Sequence, residues 1–479
     1  MPRTGRSAST ALAAVLVVAT WLSACGASPG HPPSASPRRT ATPSLSGTSP
    51  SPGATPSPAL TASWPEYHHD AQRTGQSAAT PDVSTLSTWW TARLDGAVWA
   101  EPLVVGDKVI VVTENDTLYA LDPENGAVVW KDHVGNPVPE SDLPCGDIFP
   151  LGMTGTPAYD PSTQSIFVVA EETGPIHVLY AFDAATGAVR WSRQVDISLP
   201  SEDAAAVQQR TALLVANGYV YFGFGGLDGD CSQYRGAVVA VPTNGQGSTL
   251  TYIVPTTREG AVWSPGGPVL GSGGEIFVST GNGAAVGETW DDTDSVLEFT
   301  PSLQLVSAFA PSRWAYDNSH DLDLGSVAPT LLPDGYVFIA GKSGIGYVLQ
   351  QSSLGGVGGQ VSTGPVCQGA MAFGGTAFSG DTVYLPCASG VQAISVAASG
   401  SFTSLWQTSS GANGPPVLGG ASVFCVDTSS GTLLALDAVT GALQGQISVG
   451  PVPHFATPAL DGGLALVPTL SGVVAISGI

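Results

Sequence analysis

Several short stretches carry residue types that do chemistry in other proteins. His68-His69-Asp70 places three possible metal ligands in a row. Neighbouring side chains on an extended chain point to opposite sides, so the two histidines do not converge on one ion, and a structural role is expected. Gly341-Lys342-Ser343 has the end of a phosphate loop. The glycine required five residues before Gly341 is Tyr336, however, and Lys342 follows a strand instead of opening a helix. Gly281-Asn282-Gly283 opens no helix either, which removes a dinucleotide fingerprint. Gly26-Ala27-Ser28-Pro29-Gly30 matches the G-x-S-x-G esterase elbow, a motif that needs a strand before it and a helix after it. It lies in a Ser/Pro-rich stretch with neither. No C-x-x-C occurs, so neither a zinc ribbon nor a thioredoxin-like site is expected.

The elements that must position any site are more regular. Leu118-Tyr119-Ala120-Leu121-Asp122 reads as a strand, Pro123-Glu124-Asn125-Gly126 as a tight turn, and Ala127 to Trp130 as the returning strand. Asp122 can accept hydrogen bonds from the backbone N–H groups of the turn, and Gly126 supplies a positive φ. The pattern recurs at Leu179–Asp183, Gly187 and Trp191, with the Trp again eight residues after the Asp. It recurs once more at Leu433–Asp437 and Gly441. Weaker copies of the strand end at Pro242, Thr300, Gln350, Ser395 and Ser477, which gives eight copies at steps of 61, 59, 58, 50, 45, 42 and 40 residues. A second apolar strand precedes each copy, often with a short third before that, and helical periodicity is absent from the body. Eight antiparallel meanders of this length predict an all-β fold, an eight-bladed β-propeller of four-stranded blades. The last copy stops at Ile479, short of its outer strand. Trp89-Trp90-Thr91-Ala92-Arg93-Leu94 is an unassigned strand ahead of the first blade, and is predicted to complete the eighth and close the ring.

Composition sets the compartment. The 479-residue chain has a formal charge of −23 and only 11% charged residues. That argues against nucleic acid, which needs clustered Lys and Arg. Arg3 and Arg6, the apolar run Ala11 to Val18 and then Leu22-Ser23-Ala24-Cys25 read as a signal peptide over residues 1–24, too brief to span a bilayer. The end of it resembles a bacterial lipobox, with lipid expected on Cys25 and the body on the extracytoplasmic face of the cell membrane. Residues 25–63 are rich in Ser, Pro, Thr, Ala and Gly and are expected to form a disordered tether, with the propeller over 64–479. Without Cys25, five cysteines remain. The pairing chosen is Cys145–Cys231 and Cys367–Cys387 with Cys425 buried and free; spacing alone also allows others.

The repeat L-Y-A-L-D-x-x-x-G-x-x-x-W, complete in the first two copies, resembles the pyrroloquinoline-quinone (PQQ) repeat. The opening Trp64-Pro65-Glu66-Tyr67-His68-His69-Asp70-Ala71-Gln72-Arg73-Thr74-Gly75 is similar to the lead-in of actinobacterial PQQ-binding-like β-propeller lipoproteins. Asp321-Leu322-Asp323-Leu324-Gly325-Ser326 fits the same family. The resemblance implies where an axial site would lie. Glu172 and Asn282 fall at the places of the family's Ca²⁺ ligands, Trp263 at the floor beneath the quinone, and Lys342 at a cation that contacts PQQ. The catalytic base of the family, an Asp taken to end the blade-four strand, is Thr300 here, and a Thr takes no proton near neutral pH. Asp291, Asp292 and Asp294 lie close in sequence.

These matches and departures favour a non-enzymatic binding or scaffold module, with an envelope protein or a glycan as partner. The loops Asn136–Gly152 and Gly225–Arg235 are its longest candidate contacts. The alternative is a PQQ- and Ca²⁺-dependent oxidoreductase acting on alcohols or sugars.

Overall fold

Three of the eight repeats join their third and fourth strands across an Asp-capped turn, as expected. Asp122 Oδ1 accepts the Glu124 N–H at 2.8 Å, and the Gly126 N–H returns to the Asp122 carbonyl at 2.8 Å. Asp183 and Asp437 repeat this arrangement, with the Gly187 and Gly441 N–H groups on their carbonyls at 2.8 Å.

The computed structural model describes residues 62–479, apart from 198–200, 288 and 410. The signal peptide, Cys25 and nearly all of the tether lie outside the described residues. Among those residues the strands form eight sheets, arranged as the blades of a propeller. Blade one is typical: Leu103–Val105, Lys108–Thr113, Thr117–Leu121 and Val128–His133 pair in order from the axis outward. All five residues of Thr117–Leu121 are buried, because neighbouring blades cover both faces. The outer strand alternates between exposed and half-buried.

Four sheets have five strands, not the four expected. The additions are short: Ala62–Trp64 on blade one, Val207–Gln208 on blade three, Gly356–Val357 on blade four and Gln76–Ser77 on blade seven. The ring closes as predicted. Ser87–Arg93 pairs antiparallel with Gly472–Ser477 as the outer strand of blade eight, from Ser87 opposite Ser477 to Arg93 opposite Gly472.

Adjacent blades are locked by an indole over a glycine. Trp130 of blade one covers the turn glycine of blade two so closely that a Cβ on Gly187 would lie 2.4 Å from its ring. Trp90 covers Gly126, Trp191 covers Gly245 and Trp406 covers Gly441 in the same way, at 2.7, 2.7 and 2.6 Å. These glycines therefore have two reasons to lack a side chain, since all four also have φ of 71–78°. Trp90 belongs to the closing strand, so the non-covalent joint uses the same contact as three of the covalent ones.

The lead-in is a stopper for the channel. Residues 64–77 bond to innermost strands on opposite sides of the ring: Tyr159 N–H donates to the Pro65 carbonyl, Leu270 N–H to Ala71, Phe378 N–H to Thr74 and Leu418 N–H to Gly75. His68 is fully buried, stacked 4.2 Å from Tyr67, and its Nδ1 meets the Thr376 carbonyl. His69 faces Asp70 at 3.3 Å instead. The two histidines thus diverge, though on left-handed backbone with φ of 51° and 76° and not on the extended chain expected. Both predicted disulfides are present, Cys145–Cys231 and Cys367–Cys387, and Cys425 is buried and free.

The closing contact can be tested with a built-in control. Trp90 is 7% exposed and its neighbour Trp89 is 58% exposed. Trp90→Ala is expected to lower unfolding stability by about 3 kcal/mol in denaturant melts, and Trp89→Ala by less than about 0.5 kcal/mol.

Candidate functional site

A four-stranded meander sends two kinds of connection to the same end of the ring: the link from one blade to the next, and the loop between second and third strands. The turn between third and fourth strands lies at the opposite end. Trp263 and Asp323 are on interblade links, and Asn282 and Lys342 follow the second strands Ile276–Thr280 and Tyr336–Ala340. All four therefore share one face. They meet there in an axial pocket of about 440 Å³, joined by Arg210, Asp228 and Asp230.

The indole of Trp263 is the pocket's organising surface. Lys342 Nζ stands 5.5 Å from its ring centroid and the Arg210 guanidinium 6.0 Å. Phe373 and Phe455 pack against it with centroids at 6.5 and 6.3 Å. Asp323 is 3% exposed and already engaged. Its Oδ2 pairs with Lys342 Nζ at 2.5 Å, and its Oδ1 accepts the Asn282 backbone N–H at 2.5 Å. Lys342 also reaches Asp321 at 2.7 Å. Burial works against the ammonium charge, but Asp323 and Asp321 outweigh it and hold Lys342 protonated well above the usual lysine range. Gly281 must be bare, because a Cβ there would strike Asp323 at 2.2 Å.

Three of the four cofactor-site residues read from the sequence, Trp263, Asn282 and Lys342, thus come together. Glu172 does not join them. It ends the second strand of blade two, and there its Oε1 accepts the Tyr180 hydroxyl at 2.6 Å while its stem packs on Gly135. The expectation about the base also changes. Thr300 ends a third strand, which places it at the opposite end of the blade, where its Oγ1 accepts the Gln304 N–H at 3.1 Å. The carboxylate beside Asn282 and Lys342 is Asp323.

Calcium takes about six to eight oxygen ligands. The donors present do not fit it. The Asn282 amide lies against the Asp323 carboxylate, and the Lys342 ammonium already occupies a cation's place beside that carboxylate. Among the described residues no group of three or more His, Cys, Asp or Glu side chains is placed to hold a metal. PQQ is a tricarboxylate, and this pocket sets Asp228, Asp230 and Asp323 against two cations, one of them already ion-paired.

The family model described as outer membrane protein assembly factor BamB matches residues 82–296. No curated protein sequence matches the chain significantly. Among solved structures, a europium-containing methanol dehydrogenase superposes with a TM-score of 0.65 at 16% identity, covering 88% of this chain and 98% of that one. A quinohemoprotein alcohol dehydrogenase from Pseudomonas putida gives 0.65 at 14% identity, covering 87% and 80%. BamB from Moraxella catarrhalis gives 0.55 at 14%, covering 82% and 97%. The fold is an eight-bladed β-propeller similar to these PQQ-related structures. Among its described residues no helix is long and apolar enough to cross a membrane.

The two long loops singled out in the sequence act together on this propeller. Cys145 of one is bonded to Cys231 of the other, and Gly226, Leu227 and Gly229 of the second line the axial pocket. The disulfide therefore fixes one wall of the site.

Beside the pocket the propeller buries a group of ionisable side chains. Burial pushes the Glu114 carboxyl up to about 8, although the Gly152 N–H and the Thr154 hydroxyl favour its charge. Burial, then the charges of Glu114, Glu172 and Glu171, push Asp116 up to about 9. His177 lies between Glu171 at 3.4 Å and Asp196 at 2.9 Å. Burial opposes its charge, but the carboxylates prevail and raise it to about 9. All three groups bind protons more tightly folded than unfolded, so stability falls as pH rises toward and through 8–9. Denaturant midpoints are expected to drop between pH 6 and pH 9. Glu114→Gln with Asp116→Asn is expected to flatten that slope, because an amide stands in for the protonated carboxyl.

Proposed function

We propose that this chain is a lipid-anchored, extracytoplasmic binding propeller and not a redox enzyme. Its ligand enters the axial pocket over Trp263. The observation that carries the reading is the state of Asp323, whose oxygens are occupied by Lys342 and by Asn282 within a preformed pocket. A side chain so engaged is suited to holding the pocket's shape, while Trp263, Arg210, Asp228 and Asp230 remain to meet a ligand. Ligand sites are typically concave, with an apolar surface and a few convergent polar groups, and this pocket has that composition. The anchor rests on Leu22-Ser23-Ala24-Cys25. The match to a BamB model favours an envelope setting in which the broad loop face also meets a protein partner.

Quinoprotein chemistry is the rival reading, and a direct test separates the two. Purified protein is mixed with PQQ and Ca²⁺, desalted, and followed by absorbance and by Trp fluorescence. The expected outcome is that no quinone is retained, fluorescence is not quenched, and dye-linked oxidation of alcohols or sugars does not occur. Retention of stoichiometric PQQ that is lost in Trp263→Ala overturns the proposal.

A further inference from the structure

A second and larger cavity, of about 940 Å³, opens on the same face where blades eight, one and two approach each other. Trp99, Glu114, Asp147, Phe149, His454 and Leu470 line it. Phe149 and Leu470 are each 45% exposed, which leaves apolar surface at its mouth. Arg210 and Phe455 stand between this cavity and the axial pocket. Arg210 lines the axial pocket, while Asp147 and Glu114, which line the other, are among the charges that act on it. Its guanidinium also lies 5.3 Å from the Phe455 ring centroid.

Across that boundary runs a row of partly open rings. Trp263 to Phe455 is 6.3 Å between centroids at 54°, Phe455 to His454 is 6.2 Å at 71°, and His454 to Trp99 is 6.3 Å at 15°, so successive faces turn along the row and an occupant must twist to follow them. None of the four is fully buried. A chain whose units repeat at about this spacing would place one unit on each ring.

A second observation points to an occupant. Glu114 is 1% exposed and lines the second cavity, and its Oε2 is held by the Gly152 N–H at 2.7 Å and the Thr154 hydroxyl at 3.1 Å. Its Oε1 is buried without a hydrogen-bond partner. A buried polar atom left unpaired is costly, so a ligand group that pairs with it gains affinity.

We propose that the two cavities form one cleft for an unbranched, neutral oligosaccharide, whose sugar faces stack along Trp263, Phe455, His454 and Trp99 while its hydroxyls reach Asp228, Arg210, Asp147 and Glu114. Charge selects this class. A polyanion meets the net charge of −23 and the carboxylates of the cleft. A basic peptide meets Arg210 at its centre. Hydroxyl groups both donate and accept, and so use carboxylates and guanidinium alike. This rests on the binding reading of the axial pocket and extends it to a second cavity.

The test is calorimetric titration of the purified protein at pH 7 with the di- and hexasaccharides of the maltose, cellulose and chitin series, and with hexalysine. One hexasaccharide is expected to bind about tenfold or more tightly than its own disaccharide, as one further aromatic platform provides. Trp99→Ala is expected to bring that ratio close to one while leaving the disaccharide unchanged; His454→Ala, at an exposed position, serves if Trp99→Ala melts early. Trp263→Ala is expected to weaken both. If a disaccharide binds with no gain from length, or with a gain that neither variant removes, the extended cleft is wrong and the axial pocket stands. Binding of hexalysine in place of the sugars, or no sugar bound at millimolar concentration, also overturns the proposal.

Discussion

The ring depends on a contact between two residues that share no charge and no covalent bond: an indole laid over a glycine of the next blade. A blade has two apolar faces and no means of covering either alone. The Trp of one outer strand roofs the turn of the next blade, and the bare Cα of that turn lets it approach. The Asp at the start of the turn then holds the backbone in the shape that keeps the glycine in place. The sequence unit Asp, Gly, Trp is therefore two half-contacts, each completed by a neighbouring repeat. Where the motif decays, other contacts take over. The Tyr221 hydroxyl of blade three reaches the Pro301 carbonyl at the turn of blade four at 2.7 Å, and Tyr336 of blade five packs on Gly400 of blade six.

That logic explains what could be read from the chain. Blade number, the closing strand at Trp90 and the disulfide pairs were legible, because each follows from a local pattern repeated at a countable period or from a short choice among cysteines. The site was legible only in part. Asn282 and Lys342 follow second strands, whose ends register reliably against the repeat. Asp323 and Arg210 lie on interblade links of irregular length, where no period fixes a residue's place; Trp263 lies on such a link too and was legible only through the family resemblance. Asp321-Leu322-Asp323 carries no local sign of which carboxylate faces the axis. Thr300 was misplaced for a topological reason: the end of a third strand and the site lie at opposite ends of the ring. Glu172 is at the correct end, but a tyrosine of the adjacent strand captures it.

The stopper and the pocket are two halves of one axial construction. A propeller's channel is open by geometry, and here residues 64–77 fill it, setting Tyr67 and His68 beneath the links that carry Trp263 and Phe373. A Cβ on Gly375 would lie 2.7 Å from the Tyr67 ring, and one on Gly266 would lie 3.6 Å from it. Inside the stopper Arg73 pairs with Glu66 at 3.1 Å, both nearly fully buried. Burial pushes Glu66 up to about 7 against the pull of Arg73. Such a pair adds little net stability, yet breaking it leaves a stranded charge, so it fixes the register of the segment.

The closing strand also sets a schedule. Ser87–Arg93 is among the earliest parts of the ring to leave the ribosome, and its partner Gly472–Ser477 is the last. No earlier moment offers that strand its native neighbour, and pairings so distant in sequence form slowly. A ring whose first strand must wait for its eighth blade stays open until that blade has formed. The blades between can therefore assemble first, and closure is one late docking of a strand onto a finished stack.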